Sequence, residues 1–247
     1  MRIIYEPRGR ALEYAPLAVS LYRGCAHGCR YCFVPTATKI TPEKFLEPAP
    51  RKDALRLLER DAEELAWRRD KREILMSFTT DPYQLIEETF GLTRQAIRIL
   101  TNYGLPFTTL TKAGARALAD IDLLVNNPLY CFGTSLIFSD EDDRLEWEPF
   151  AAPTKERISN LAMMHKHGIR TWVSCEPVFF IDQTLELIEE SLPYVDKFRI
   201  GKLNHLESGI SRKEYVAFVV KAHSMIGLAG KTCILKDDLK KAAGVQG

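Results

Sequence analysis

Residues Leu17-Ala18-Val19-Ser20-Leu21-Tyr22 run directly into Arg23-Gly24-Cys25-Ala26-His27-Gly28-Cys29-Arg30-Tyr31-Cys32-Phe33. The first stretch is short, apolar and aromatic, and it reads as a strand. The second places three of the chain's six cysteines within eight residues, at spacing C-x3-C-x2-C. A strand that ends on a loop of reactive side chains is the local plan of a parallel α/β domain, whose sites gather at the C-terminal strand ends. Gly24 and Gly28 relieve steric limits, so the loop can wrap closely around something bulky.

The rest of the chain repeats the strand-then-helix plan. Further strand-like runs are residues 73–78, 106–111, 129–135, 169–175 and 197–201. Ala54, Leu57, Leu58, Ala62 and Leu65 make one apolar stripe on a helix over about residues 51–69. Leu92, Ala96, Ile99, Leu100 and Tyr103 repeat the pattern before Gly104. A third helix opens at Pro153-Thr154 and ends near Gly168, and later ones cover residues 182–192 and 211–226. Six alternations predict a parallel sheet with helices outside, curled by crossovers of one hand. The expected fold class is α/β, an incomplete (β/α)6 TIM-like barrel, with a doubly wound open sheet as the alternative. No internal repeat or linker divides the chain, so residues 1–247 read as one domain with a core from about 17 to 235.

Composition narrows the function. With 34 basic and 33 acidic residues the net charge is +1, which argues against coating nucleic acid through bulk charge. No apolar run reaches membrane-spanning length, and Met1–Arg10 lacks the apolar core of a secretion signal. The expectation is a cytoplasmic protein with no membrane partner, whose thiols are free for metal or redox chemistry.

Three thiolates on one tight loop suit an iron–sulfur cluster. A four-iron cube takes four ligands, so three cysteines leave one iron open to a small molecule. Zinc on a Cys3His set with His27 competes with this reading. His27, however, lies between the first two cysteines and is poorly placed to join them on one tetrahedral ion. A disulfide plus a spare thiol is the other reading. Cys131, Cys175 and Cys233 stand apart in the sequence and read as small buried apolar residues, not as a second cluster.

C-x3-C-x2-C with Tyr31 before the last cysteine resembles the signature of the radical S-adenosylmethionine (SAM) superfamily. Residues 21–29, Thr79-Thr80-Asp81-Pro82-Tyr83-Gln84, Thr111-Lys112, Glu148-Pro149 with Arg157, and Glu176-Pro177-Val178 resemble the branch related to spore photoproduct lyase, the "DNA repair photolyase" type. The resemblance implies a 4Fe–4S cluster on Cys25, Cys29 and Cys32, with SAM on the open iron. It also implies an external one-electron reductant of flavodoxin or ferredoxin type. Reductive cleavage of SAM would yield a 5′-deoxyadenosyl radical that takes hydrogen from a substrate.

SAM brings an ammonium, a carboxylate, a ribose and an adenine, and the resemblance suggests a partner for each. The second strand end, Ser77 to Asp81, offers hydroxyls, carbonyls and a carboxylate that suit the ammonium, with Thr79 and Asp81 as the candidates, and Tyr31 is expected among the cofactor-binding residues. Lys112, after the third strand, is expected at the carboxylate. Ser135 is the ribose candidate, and Glu176 faces adenine or substrate. Arg157 has two readings, the cofactor carboxylate or a pair with Glu148 that holds the loop before a helix. His165 and His167 read as structural. No catalytic residue is assigned.

Residues 1–44 carry seven basic and three acidic side chains, interleaved with Tyr5, Tyr14, Tyr22, Tyr31 and Phe33. This pattern suits a base-stacking, phosphate-binding mouth, so a nucleic acid or nucleotide substrate is one reading. A peptide or small metabolite is the second, and a non-catalytic iron–sulfur protein the third. One departure matters: where spore photoproduct lyase carries a hydrogen-donating cysteine, the matching position here is Phe78. Thymine-dimer repair is therefore not expected.

Overall fold

The computed structural model describes residues 2–204 and 206–245. Among the described residues ten strands occur in chain order. They are β1 (Ile4–Tyr5), β2 (Leu17–Val19), β3 (Tyr22–Arg23), β4 (Ala49–Pro50), β5 (Ile74–Met76), β6 (Phe107–Thr109), β7 (Tyr130–Ser135), β8 (Arg170–Val178), β9 (Lys197–Lys202) and β10 (Thr232–Leu235). The main sheet has the order β1-β2-β5-β6-β7-β8-β9-β10. All its pairings are parallel except that of β1 with β2. Among the described residues no pairing joins β10 back to β1 or β2, so the barrel is incomplete, as expected.

All six expected strands are present, and β10 adds a seventh parallel strand that the sequence reading missed. Thr232–Leu235 is four residues long and only partly buried, so it lacks the apolar run that marks the others. Two strand boundaries also differ. The run 17–22 breaks after Val19, because Tyr22 and Arg23 leave the sheet to pair with Pro50 and Ala49 in a small two-stranded antiparallel sheet. The run 169–175 extends to Val178 through Pro177, and a register shift between Cys175 and Val178 absorbs the proline's missing donor.

Helices cross between the strands where the stripes predicted them: Ala54–Trp67, Leu92–Asn102, Thr154–Lys166, Ile181–Ser191 and Arg212–Leu228. Ser211 and Glu214 form a capping box that fixes the start of the last of these. Leu58, Ala62, Ala96 and Leu100 turn inward with Ile74, Phe107, Phe198 and Ile200 into the main apolar core. Ala18, Leu75, Cys131 and Trp172 form a separate cluster. Trp172 donates to Thr108 Oγ1 at 2.7 Å, and it fits only because Gly133 has no side chain; a Cβ there would lie 2.3 Å from the indole.

Candidate functional site

A cavity of about 580 Å³ opens beside the C-terminal strand ends. Cys25, Cys29 and Cys32 line it, and so do Tyr31, Thr79, Asp81, Lys112, Ser135 and Glu176. Nine of the ten expected site residues therefore meet in one place. Arg157 does not line the cavity; its role is set by a buried pair described below.

The cysteine loop is held from two sides. At Gly24 the backbone has φ +74° and passes so close to Phe45 that a Cβ would lie 2.7 Å from its carbonyl. The same contact gives a hydrogen bond from Cys25 N to Phe45 O at 2.8 Å. Thr80 Oγ1 donates to Gly24 O at 2.6 Å, and Gln84 Oε1 accepts from Ala26 N at 2.9 Å. On the other side Arg30 N donates to Trp147 O at 2.9 Å and Phe150 N to His27 O at 3.2 Å. The loop is thus clamped between the residues after β5 and the segment 147–150.

All six cysteines are free thiols. Burial pushes Cys25 well above the usual thiol range, with the charges of Asp81 and Cys29 adding to it. Burial likewise raises Cys32 and pushes Cys29 up to about 12. Three such groups become thiolates together only beside a strong positive charge, which a metal centre supplies. Among the described residues no three His, Cys, Asp or Glu side chains converge on one ion position. A cube asks for something wider, because each thiolate takes a different iron. His27 lines the cavity with the thiols and places Nε2 2.9 Å from Asp81 Oδ2.

Asp81 reaches the cavity wall, but protein donors engage both its oxygens. Oδ1 accepts from Tyr83 N and Thr111 Oγ1, at 2.8 and 2.7 Å. Oδ2 accepts from Lys112 N at 2.7 Å and faces His27. Burial raises its pKa, but His27 and these donors outweigh burial and bring it down to about 2. Its carboxylate ties the cysteine loop to the ends of β5 and β6. Thr79 Oγ1 shares a 3.0 Å contact with Ser20 Oγ. Ser77, just past β5, has a buried hydroxyl with no hydrogen-bond partner, and it lines the same cavity. A buried donor left without a partner is costly, so this hydroxyl points to a ligand.

Glu148 is the second clamp. It is fully buried and 2.7 Å from Arg157 Nη2, itself fully buried. Arg157 also donates to the carbonyls of Ala152 and Ser135, at 2.8 and 3.1 Å. The reading in which Arg157 pairs with Glu148 is the one the geometry matches. Tyr31 OH donates to the other oxygen of Glu148, and Lys112 Nζ approaches that oxygen at 3.9 Å. Burial favours neutral Glu148, but Arg157 and Lys112 more than offset it and hold the carboxyl below its usual range. For Lys112 burial works downward, Cys29 and Glu148 upward, and the net shift is upward. Lys112 stays a cation on the cavity wall, 5.7 Å from the Tyr31 ring centre.

Glu176 occupies the other end. Lys236 Nζ lies 2.9 Å from its carboxylate, and Tyr14 OH donates to Oε2. Gly201 makes room for it, since a Cβ there would lie 2.6 Å from Glu176 Cδ. The sequence reading missed Lys236 and Lys202 as site residues; Ser77 belonged to the 77–81 strand end offered to the ammonium, and Gln84 to the Thr79–Gln84 stretch. Of the N-terminal aromatics, Tyr14, Tyr31 and Phe33 line the cavity, whereas Tyr22 is buried against Glu87 and Tyr5 packs near Trp172. Cys131 and Cys175 are buried and Cys233 is half-buried, all away from the cavity. His165 and His167 are exposed on their helix and its cap.

The sequence profile of the Radical SAM superfamily matches residues 19–194. An uncharacterised protein of Mycobacterium tuberculosis is 26% identical over 186 residues, covering 70% of this chain and 52% of that protein. One from Methanocaldococcus jannaschii is 25% identical over 205 residues, covering 82% of this chain and 75% of that protein. A radical SAM Nα-GlyT isomerase of Pseudomonas phage M6 is 27% identical over 154 residues, covering 62% and 31%. The chain spans about half the length of the mycobacterial relatives. Among solved structures, spore photoproduct lyase complexed with dinucleoside spore photoproduct superposes with a TM-score of 0.70 at 14% identity, covering 94% of this chain and 79% of that one. Streptococcus suis SuiB bound to S-adenosylmethionine gives 0.65 at 14%, covering 91% and 48%. These two structures share the fold.

Proposed function

The chain belongs to the radical SAM superfamily, and from that premise we propose an enzyme that abstracts hydrogen from a substrate docked at the strand ends. The observation that carries this reading is one cavity that gathers three cysteine side chains and an unpartnered buried hydroxyl. When bound, a 4Fe–4S cluster and SAM, with an electron from a flavodoxin- or ferredoxin-type carrier, supply a 5′-deoxyadenosyl radical as the hydrogen acceptor.

The chain's own residues divide the remaining work. Cys25, Cys29 and Cys32 hold three irons. Ser77 Oγ and Thr79 accept from the SAM ammonium, taking the place that Asp81 cannot fill while its oxygens are engaged by protein. Lys112 meets the methionyl carboxylate; its 3.9 Å approach to Glu148 leaves donors to spare. Ser135 lies at the end of β7 and serves the ribose, and Glu176 faces adenine or substrate. Asp81, Glu148 and Arg157 are positioning residues. Tyr31 donates to Glu148 and packs its ring at a tilt against Phe179, with centroids 5.5 Å apart, which keeps the last turn of the cysteine loop in place.

A nucleotide or nucleic acid is the substrate reading with most support. Tyr14, Phe78 and Phe33 form a chain of rings along the cavity, with centroids 5.9 and 5.7 Å apart, and Arg8 and Arg10 stand at its mouth. Such rings stack on bases at about 1–3 kcal/mol each.

Anaerobic reconstitution tests the function. About four irons per chain are expected, with 5′-deoxyadenosine and methionine formed on reduction with dithionite and SAM. Cys25→Ala, Cys29→Ala and Cys32→Ala strip the iron, whereas Cys131→Ala and Cys233→Ala keep it. Stoichiometric zinc without iron, or no deoxyadenosine from an iron-loaded chain, overturns the reading.

A further inference from the structure

The family match ends at residue 194, yet part of the cavity wall comes from outside it. Arg8, Arg10 and Tyr14 precede the matched region; Lys202, Asn204 and Lys236 follow it, and all six line the cavity. The turn Gly9–Glu13 is pinned on the last strands, because Asp237 N donates to Glu13 Oε2 at 2.9 Å and the Arg199 guanidinium donates to Glu13 O. Two distant ends of the chain therefore build one wall.

That wall is cationic beyond its own needs. Lys236 is only 2% exposed, 2.9 Å from Glu176 and 4.4 Å from the Tyr14 ring centre, so one cation is neutralised. Arg10 leans on Asp238 at 3.4 Å but stays half exposed. Lys202 Nζ reaches, among the described residues, the Leu203 carbonyl at 3.3 Å. Among the described residues no carboxylate lies within ion-pair distance of Lys202 or Arg8. Four cations thus face the cavity here, with Glu176 against Lys236 and Asp238 against Arg10, which leaves the charges of Lys202 and Arg8 uncompensated among the described residues.

We propose that Arg8, Arg10, Lys202 and Lys236 form a subsite for a phosphoryl group of the substrate. This rests on the reading that the cysteine end of the cavity holds the cluster and SAM. A carboxylate brings one negative charge, whereas a phosphate monoester brings about 1.5–2 and three acceptor oxygens. Guanidinium forks and ammonium points match those oxygens. Lys236, fixed between Glu176 and Tyr14, sets the depth of the group, and Lys202 and Arg8 supply the uncompensated charge. A mononucleotide phosphate brings its negative charge on one group, whereas a strand brings one charge and two free oxygens per phosphodiester and reaches the same charge with successive linkages.

Calorimetric titration of the reconstituted, SAM-loaded protein with inorganic pyrophosphate tests the subsite. Lys202→Gln and Arg8→Gln are each expected to raise the dissociation constant by about 10-fold, the loss of one charge-assisted hydrogen bond. Lys231→Gln, on a residue absent from the cavity wall, is expected to change it less than about twofold. Iron content and SAM affinity at wild-type level show that the variants are folded. Pyrophosphate that does not bind, variants that bind it as the wild type does, or succinate bound equally well each overturn the proposal. A single-stranded octanucleotide bound at least about tenfold tighter than deoxycytidine monophosphate identifies a strand as the source. Similar affinities identify the mononucleotide, and either result supports the phosphoryl site. If pyrophosphate behaves as expected but the iron-loaded protein makes no deoxyadenosine, the radical reading fails and the subsite stands.

Discussion

His27 Nε2 lies 2.9 Å from Asp81 Oδ2, so the histidine inside the cysteine motif is tied to the strand-end carboxylate. Both side chains are almost fully buried. The contact spans the two stretches that the resemblance singled out, and it sets where the thiols stand relative to β5 and β6. The histidine is thus part of the loop's anchoring.

A pH dependence follows. Asp81 is held at about 2 against an ordinary value of 3.8, so its anchoring is complete above pH 4 or so and is lost as pH falls through 2. Unfolding of the cluster-free chain by urea is expected to cost about 2 kcal/mol less from this group at pH 2 than at pH 5. Asp81→Asn should be less stable at pH 5 and show a correspondingly flatter profile. Parallel profiles in the two proteins would remove the anchoring role.

Lys112→Met is expected to raise the dissociation constant for SAM about 10- to 100-fold, because a hydrogen bond to a charged group contributes roughly 1.5–3 kcal/mol. Iron content should not change. Lys112→Arg should restore only part of the affinity, since its planar fork is larger and differently shaped. Titration of the reconstituted proteins with SAM checks this, and an affinity within twofold of wild type in Lys112→Met removes the residue from the site.

Arg157 is expected to behave differently from Lys112. Arg157→Met leaves the buried Glu148 carboxylate without its main partner, at a cost of about 3–5 kcal/mol in unfolding free energy. Adding Glu148→Gln should recover much of that loss, because no buried charge is then left alone. Denaturant curves of the single and double variants decide. A direct role for Arg157 at SAM predicts weaker cofactor binding at unchanged stability.

Ser77→Ala separates ligand binding from folding. The wild-type hydroxyl is buried without a partner, so its removal should leave stability unchanged or raise it by up to about 1 kcal/mol. SAM affinity should fall about 5- to 10-fold if the hydroxyl meets the ammonium. Loss of stability with intact SAM affinity would show that the hydroxyl serves the fold alone.

The sequence by itself determined the six core strands, their helices and the metal-ligand candidates. Periodicity and C-x3-C-x2-C are local signals, carried by residues adjacent in the chain. It did not show β10, because Thr232–Leu235 is too short and too exposed to mark itself without β9 beside it. Nor did it separate Lys112 from Arg157, two cations near Glu148; burial alone shows that one lines the cavity while the other is enclosed behind it. Lys236 stands 60 residues from Glu176 and was invisible until the strand ends converged. Which groups are satisfied, which are left open and which charges go unpaired are properties of neighbours in space, and only the tertiary structure decided them.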